Sequence, residues 1–112
     1  MTPWPTELRL NPAKDALTVS FDTGERFVLP AEYLRVESPS AEVQGHSPEQ
    51  KQVVTGKQHV KITAIDPIGN YAVRITFDDG HDTGLYSWDW LHMLGSGMQT
   101  VWADYLASQG RR

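Results

Sequence analysis

The densest run of chemistry-bearing side chains is Asp78-Asp79-Gly80-His81-Asp82. Carboxylate oxygens and an imidazole nitrogen suit iron, manganese, zinc or calcium, and a turn holds them close together. Asp-Asp-Gly is also ordinary hairpin material, so two alternatives stand: a plain turn, or a metal centre on His81 and Asp82. A metal cage would need ligands from a second segment. The remaining histidines, His46, His59 and His92, have no neighbours at a ligand spacing such as H-x-x-x-H or H-E-x-x-H.

Other chemistries find less support. There is no G-x-S-x-G elbow, and Ser87 and Ser96 are placed to cap helices. Gly95-Ser96-Gly97 ahead of a helix is a weak anion site, because its surroundings are acidic and no lysine accompanies it. Tyr86, Trp88, Trp90, Trp102 and Tyr105 raise the question of an aromatic cage for a quaternary ammonium group. Residues 88 and 90 differ by two and cannot share a helix face, so these five are expected in the core and at its rim.

Composition narrows the field. The 112 residues suit one domain. Ten basic against fourteen acidic residues give a net charge of −4 and a pI near 5.4, without the basic face that nucleic acid needs. The charges divide evenly, five basic and eight acidic in residues 1–56 and five and six in 57–112. With no cysteine, a disulfide, a Cys-type zinc site, a thiolate nucleophile and an iron–sulfur cluster held by this chain are all excluded. MTPWPTEL lacks the apolar region of a secretory signal, and no run approaches the roughly 18 apolar residues of a membrane span. A cytoplasmic protein with no membrane partner is the expectation.

The elements that must position these residues are strands first and helices last. Glu7–Leu10 and Ala16–Phe21 read as strands, the second with Leu17, Val19 and Phe21 on one face. Asp22-Thr23-Gly24 turns the chain into a third strand, Arg26–Leu29, and Pro30 opens a short helix over Ala31–Arg35. Residues 37–57 read as a long loop with a brief edge strand at Val53-Val54. Val60–Asp66 and Tyr71–Phe77 form a hairpin through Pro67-Ile68-Gly69-Asn70, with Tyr71, Val73, Ile75 and Phe77 on one face; a further strand spans Thr83–Tyr86. Ser87 then caps a helix that turns Trp88, Leu91 and Met93 inward. Ser96-Gly97-Met98-Gln99 has capping-box form, and an amphipathic helix follows on Met98, Val101, Trp102, Tyr105 and Leu106, over about 97–109.

Val19-Ser20-Phe21-Asp22-Thr23-Gly24 is echoed by Ile75-Thr76-Phe77-Asp78-Asp79-Gly80, each leading to a helix start, Tyr33-Leu34 and Trp90-Leu91, with one inserted residue. Turn chemistry alone generates such a match. If it is a true repeat, two hairpin units packed as sheets give a small antiparallel α+β domain with short helices and a C-terminal amphipathic helix.

Three segments together carry a family resemblance: Leu34-Arg35-Val36-Glu37-Ser38-Pro39-Ser40-Ala41-Glu42-Val43, Gly69-Asn70-Tyr71-Ala72-Val73 and Asp79-Gly80-His81-Asp82-Thr83-Gly84-Leu85-Tyr86-Ser87-Trp88-Asp89-Trp90-Leu91. Over roughly residues 6–94 the chain resembles the gamma-butyrobetaine hydroxylase-like N-terminal domain, formerly a domain of unknown function, in its stand-alone bacterial form. The resemblance implies a β-rich α+β module that in larger relatives accompanies an oxygenase or an iron–sulfur carrier ATPase. It also implies a position for zinc, held in the hydroxylases by three cysteines and a histidine. Those places fall on Ser38, Ser40, Val43 and His81, and only the histidine survives. The hydroxylases' iron belongs to a separate oxygenase domain, so catalysis does not carry over.

Three functions follow as expectations. The first is a non-enzymatic accessory module that binds a protein partner through the long loop and the aromatic helix, in iron–sulfur or oxygenase metabolism. The second is an iron- or zinc-binding domain centred on His81 and Asp82, with Glu37, Glu42 and His46 as replacement ligands. The third is a binder of small trimethylammonium compounds.

Overall fold

The computed structural model describes residues 3–45, 50 and 54–110. In chain order the elements are β1 (Pro5–Leu10), β2 (Ala16–Phe21), β3 (Arg26–Pro30), α1 (Ala31–Val36), α2 (Ala41–Gln44), β4 (Ile62–Ile68), β5 (Ala72–Phe77), β6 (Leu85–Ser87), α3 (Trp88–Ser96) and α4 (Met98–Ser108). They build two three-stranded antiparallel sheets, β1-β2-β3 and β4-β5-β6, so the domain is the expected α+β type. Alternation sets the faces: Leu17, Val19 and Phe21 of β2 and Val73, Ile75 and Phe77 of β5 are buried. With Tyr33 and Leu34 of α1 and Leu91 and Leu94 of α3 they form one core. Among the described residues no helix is long and apolar enough to cross a membrane.

The two halves are copies of one unit. Each first strand carries a bulge just after the residue that pairs with a phenylalanine, Pro5 with Phe21 and Ile62 with Phe77. Thr6 Oγ1 donates to Ser20 O and Thr63 Oγ1 donates to Thr76 O, at 3.2 and 3.3 Å. Trp4 N–H donates to Asp22 Oδ1 while Asp22 N–H donates to Trp4 O, and Lys61 and Asp78 exchange the same two bonds. Gly24 (φ 90°) and Gly80 (φ 92°) close the two turns in the left-handed region. The F-D-x-G echo is therefore a structural repeat as well as turn chemistry.

The repeat also relates contacts between the halves. Tyr33, third in α1, donates its O–H to Leu94 O at 2.7 Å; Trp90, third in α3, donates its Nε1–H to Glu37 O at 3.0 Å. Each helix thus ties its aromatic side chain to the far end of the other.

Several expectations are corrected. The stretch 37–57 is not loop throughout, because Ser40 caps the short helix α2 by accepting the Glu42 N–H. Val54 is not in a strand, and Val53 and His46 lie outside the described residues. The β4-β5 hairpin turns later than Pro67, since Ile68 still pairs with Ala72; Tyr71 therefore sits in the turn, 66% exposed, instead of on the core face. Ser96 forms no capping box. It is the last residue of α3, where its Oγ–H donates to His92 O, and Gly97 stands at the start of α4 without a side-chain cap. Met93 is exposed, although Leu91 beside it is buried.

Helix α4 packs back on the domain. The Trp102 ring meets Tyr33 edge-on at 5.3 Å and stacks on Tyr105, whose hydroxyl donates to Glu32 Oε2 at 2.7 Å.

Candidate functional site

The turn after β5 and the segment after α1 meet at one corner. Ser38, 0% exposed, and His81, 8% exposed, bring Oγ and Nε2 to 2.9 Å. On the other side of the ring, His81 Nδ1 lies 3.4 Å from Glu42 Oε2. Ser38 Oγ also accepts the Ser40 N–H at 3.2 Å. The proton arrangement that satisfies every group has Ser38 O–H donating to an unprotonated Nε2, with the ring proton on Nδ1 facing Glu42. Ser40 Oγ pairs with Thr83 Oγ1 at 2.7 Å, and Val43 is the buried residue of α2.

Burial disfavours the imidazolium at His81 and the Arg35 charge adds to this; Glu42, Asp79 and Asp82 oppose it, and the net shift of the pKa is downward. Asp79 behaves in the opposite sense. Burial would raise its carboxyl, but hydrogen bonds from Lys57, the His81 N–H and Arg35 outweigh burial and hold it to about 2. Arg35 Nε donates to Asp79 Oδ2 at 2.9 Å and Lys57 Nζ lies 2.6 Å from the same oxygen. This ion group ties α1 to the turn that carries His81. In the other half the helix position of Arg35 is taken by His92 of α3, whose Nε2 lies 2.7 Å from Glu25 Oε1 beside the first turn.

The order Ser38, His81, Glu42 has the connectivity of an acyl-transfer triad. The serine, however, is wholly buried, and a nucleophile must reach its substrate. The arrangement is a brace between two loops. Its counterpart in the first half shows what it replaces. There Gly95 stands where Ser38 stands in the second half, and an added Cβ would lie 2.3 Å from the Phe27 ring; at Gly84, the equivalent of Phe27, an added Cβ would lie 2.5 Å from Ser38 Oγ. One corner is filled by an aromatic ring, the other by a polar pair.

Of the positions implied for zinc, Ser38 meets His81 directly, Ser40 reaches Ser38 through its N–H, and Val43 is buried in α2; the donor set they offer is two hydroxyls, an aliphatic side chain and one imidazole. That set does not fit zinc, which needs thiolate, imidazole or carboxylate. Asp82 is exposed and acts on His81 through its charge. Among the described residues no group of three His, Cys, Asp or Glu is placed to hold a metal ion.

A second feature lies where β1, the β4-β5 turn and α3 meet. Trp4, Tyr71, Ser87, Trp88 and Asp89 line an open cleft of about 240 Å³. Trp4 is 50% exposed and meets Trp88 edge-on at 6.2 Å. Trp88 is fixed by donating Nε1–H to Asn70 O at 2.9 Å, and its N–H donates to Tyr71 O. Of these aromatics only Trp88 stands out from the sequence. Tyr71 has the parity of a core residue, and Trp4 is overlooked beside its flanking prolines, Pro3 and Pro5, although a tryptophan with no apolar neighbour ahead of a strand is a signal for a surface role. Tyr86 and Tyr105 are buried and Trp90 and Trp102 half-buried, as core and rim residues.

The family model described as gamma-butyrobetaine hydroxylase-like, N-terminal, matches residues 8–92. Two solution NMR structures are similar to the chain, each with a TM-score of 0.80. One is 52% identical over 96% of this chain and 80% of its own, the other 43% identical over 99% and 90%. A crystal structure of a protein of unknown function from the DUF971 family of Acidithiobacillus ferrooxidans is 37% identical, with a TM-score of 0.69 over 82% of this chain and 92% of its own. Among curated proteins, none matches this chain. The segments around Ser38, Gly69 and His81 all lie within the matched residues, and the chain belongs to the gamma-butyrobetaine hydroxylase-like N-terminal domain family.

Proposed function

We propose that this domain is a non-catalytic accessory module that binds a protein partner, in the setting of oxygenase or iron–sulfur chemistry that its family resemblance implies. The observation that carries this is the cleft of Trp4, Tyr71 and Trp88. Two large rings are at least half exposed beside a third, on a domain that otherwise packs its aromatics inward. Exposed aromatic clusters are the usual anchors of protein interfaces. The contact surface differs from the one expected along the aromatic helix, because Trp102 and Tyr105 of α4 are spent on α1.

The test uses the whole chain as bait in native lysate, beside a Trp4→Ala/Tyr71→Ala variant whose fold is checked by its amide spectrum. A partner retained by the first and lost by the second is expected. Recovery of the same proteins by both, or of nothing by either, would overturn the assignment.

A metal centre on His81 is the alternative. The approach of Glu42 Oε2 to within 3.4 Å of Nδ1 favours it, because a carboxylate oxygen beside an imidazole nitrogen is a donor pair that suits a harder ion such as iron. Iron or zinc retained in stoichiometric amount through purification would support that centre.

A further inference from the structure

We infer that the cleft of Trp4, Tyr71, Trp88 and Asp89 receives an arginine side chain of a polypeptide partner. This rests on the partner-binding function proposed above and names the chemistry of the contact. Three observations point to a basic side chain.

The first is charge. The cleft contains a carboxylate and no basic residue, and the chain carries a net charge of −4. Asp89 makes no ion pair among the described residues. Aromatic faces attract cations through their quadrupole, and a carboxylate beside them supplies a paired acceptor. A guanidinium is flat, stacks on rings and meets a carboxylate with two parallel N–H donors, which a compact ammonium cannot do.

The second is size. At about 240 Å³ the cleft falls below the range of roughly 300–1,000 Å³ typical of small-molecule sites, and it is open to solvent. It has room for one side-chain head group. The Trp88 indole is already fixed by Asn70 and the Trp4 backbone by its exchange of bonds with Asp22, which lowers the ordering cost at binding.

The third is the internal repeat. Asp89 is second in α3 as Glu32 is second in α1. Glu32 is 7% exposed and receives a hydrogen bond from Tyr105 of the docked helix α4. The acidic residue at this helix position is thus met, in the covered copy, by a donor from a docked segment. In the uncovered copy Asp89 is exposed in the cleft that Trp4, Tyr71 and Trp88 also line, and a partner polypeptide supplies the donor.

The indole N–H signals of Trp4 and Trp88 report occupancy by NMR. N-acetyl-arginine amide at millimolar concentration is expected to shift both saturably. The neutral isostere N-acetyl-citrulline amide should bind about fivefold more weakly, the size of an exposed cation–π contact. Asp89→Asn should weaken the arginine compound by a similar factor, with Asp89→Glu restoring most of it. Equal binding of arginine and citrulline would overturn the proposal, as would preference for N-acetyl-tyrosine amide. Preference for choline would also overturn it and would mark a site for small quaternary ammonium ligands. If no compound shifts the signals while the lysate partner still depends on Trp4 and Tyr71, the arginine contact falls and the partner-binding function stands; if that dependence is absent too, both fall.

Discussion

Ser38 Oγ and His81 Nε2 lie 2.9 Å apart inside the protein, joining the segment after the first helix to the turn after the fifth strand. In the family resemblance these two positions belong to a cysteine and a histidine on one zinc ion. Here a neutral hydrogen bond spans the same gap. It is supported by the Ser40 N–H on Ser38 and by the Arg35–Asp79–Lys57 ion group beneath the turn.

Ser38→Ala removes the hydroxyl that meets both His81 Nε2 and the Ser40 N–H, leaving two buried polar atoms unpaired. A loss of about 1–3 kcal/mol is expected, read as a lower urea midpoint at unchanged slope. A midpoint equal to wild type would mean that the brace contributes nothing.

Stability should also fall on mild acidification, and the sign follows from His81. Its folded pKa is depressed below 6.5 by burial first and the Arg35 charge second. The unfolded chain therefore takes up a proton at a pH where the folded chain still resists it. The stabilisation is complete above about pH 6.5 and is lost as pH falls through the folded value. Urea midpoints at pH 7.5 and 5.5 should differ more for wild type than for His81→Gln, which keeps a donor and an acceptor but does not titrate. Equal losses would assign the pH dependence to other groups.

Close packing at the first-half corner gives a prediction from sterics. An added Cβ at Gly95 would lie 2.3–2.8 Å from three atoms of the Phe27 ring. Gly95→Ala should cost about 1–3 kcal/mol, in spite of the better helix propensity of alanine, because the Phe27 ring, partly buried and packed against the core, must move. Combining it with Phe27→Leu should restore part of the loss, whereas simple additivity would show that the ring is not the obstacle.

How much of this was legible from the residues varies with range. Strand faces were, because Leu17, Val19 and Phe21 alternate within a single strand and each reports its own burial. The F-D-x-G echo was visible, but not the reciprocal bonds of Tyr33 and Trp90, which join residues from opposite halves. Ser96 misled because a serine followed three residues later by glutamine has capping-box form, while here the hydroxyl turns back on its own helix at His92. Tyr71 misled because strand parity ignores where a hairpin turns. The Ser38–His81 corner came only through the family resemblance, since nothing local links two residues so far apart. The aromatic cleft had only the isolated signals of Trp4 and Trp88, and nothing local joined them, because it is assembled from the segment before β1, a turn and a helix start.

The correspondence of Ser38, Ser40, Val43 and His81 is open to reconstruction. A Ser38→Cys/Ser40→Cys/Val43→Cys chain presents three thiolates to His81 and should bind one zinc ion, with a raised melting temperature that chelator reverses. Failure to bind, in a folded protein, would mean that the four positions do not share one centre.

Metal content of the natural chain tests the central claim most directly. That claim is that the His81 corner is a hydrogen-bonded brace, and that binding is left to the aromatic cleft. Elemental analysis of protein purified without chelators should find zinc and iron far below one ion per chain, and the small residue should be the same in His81→Ala. One equivalent of either metal, lost on that substitution, would contradict it.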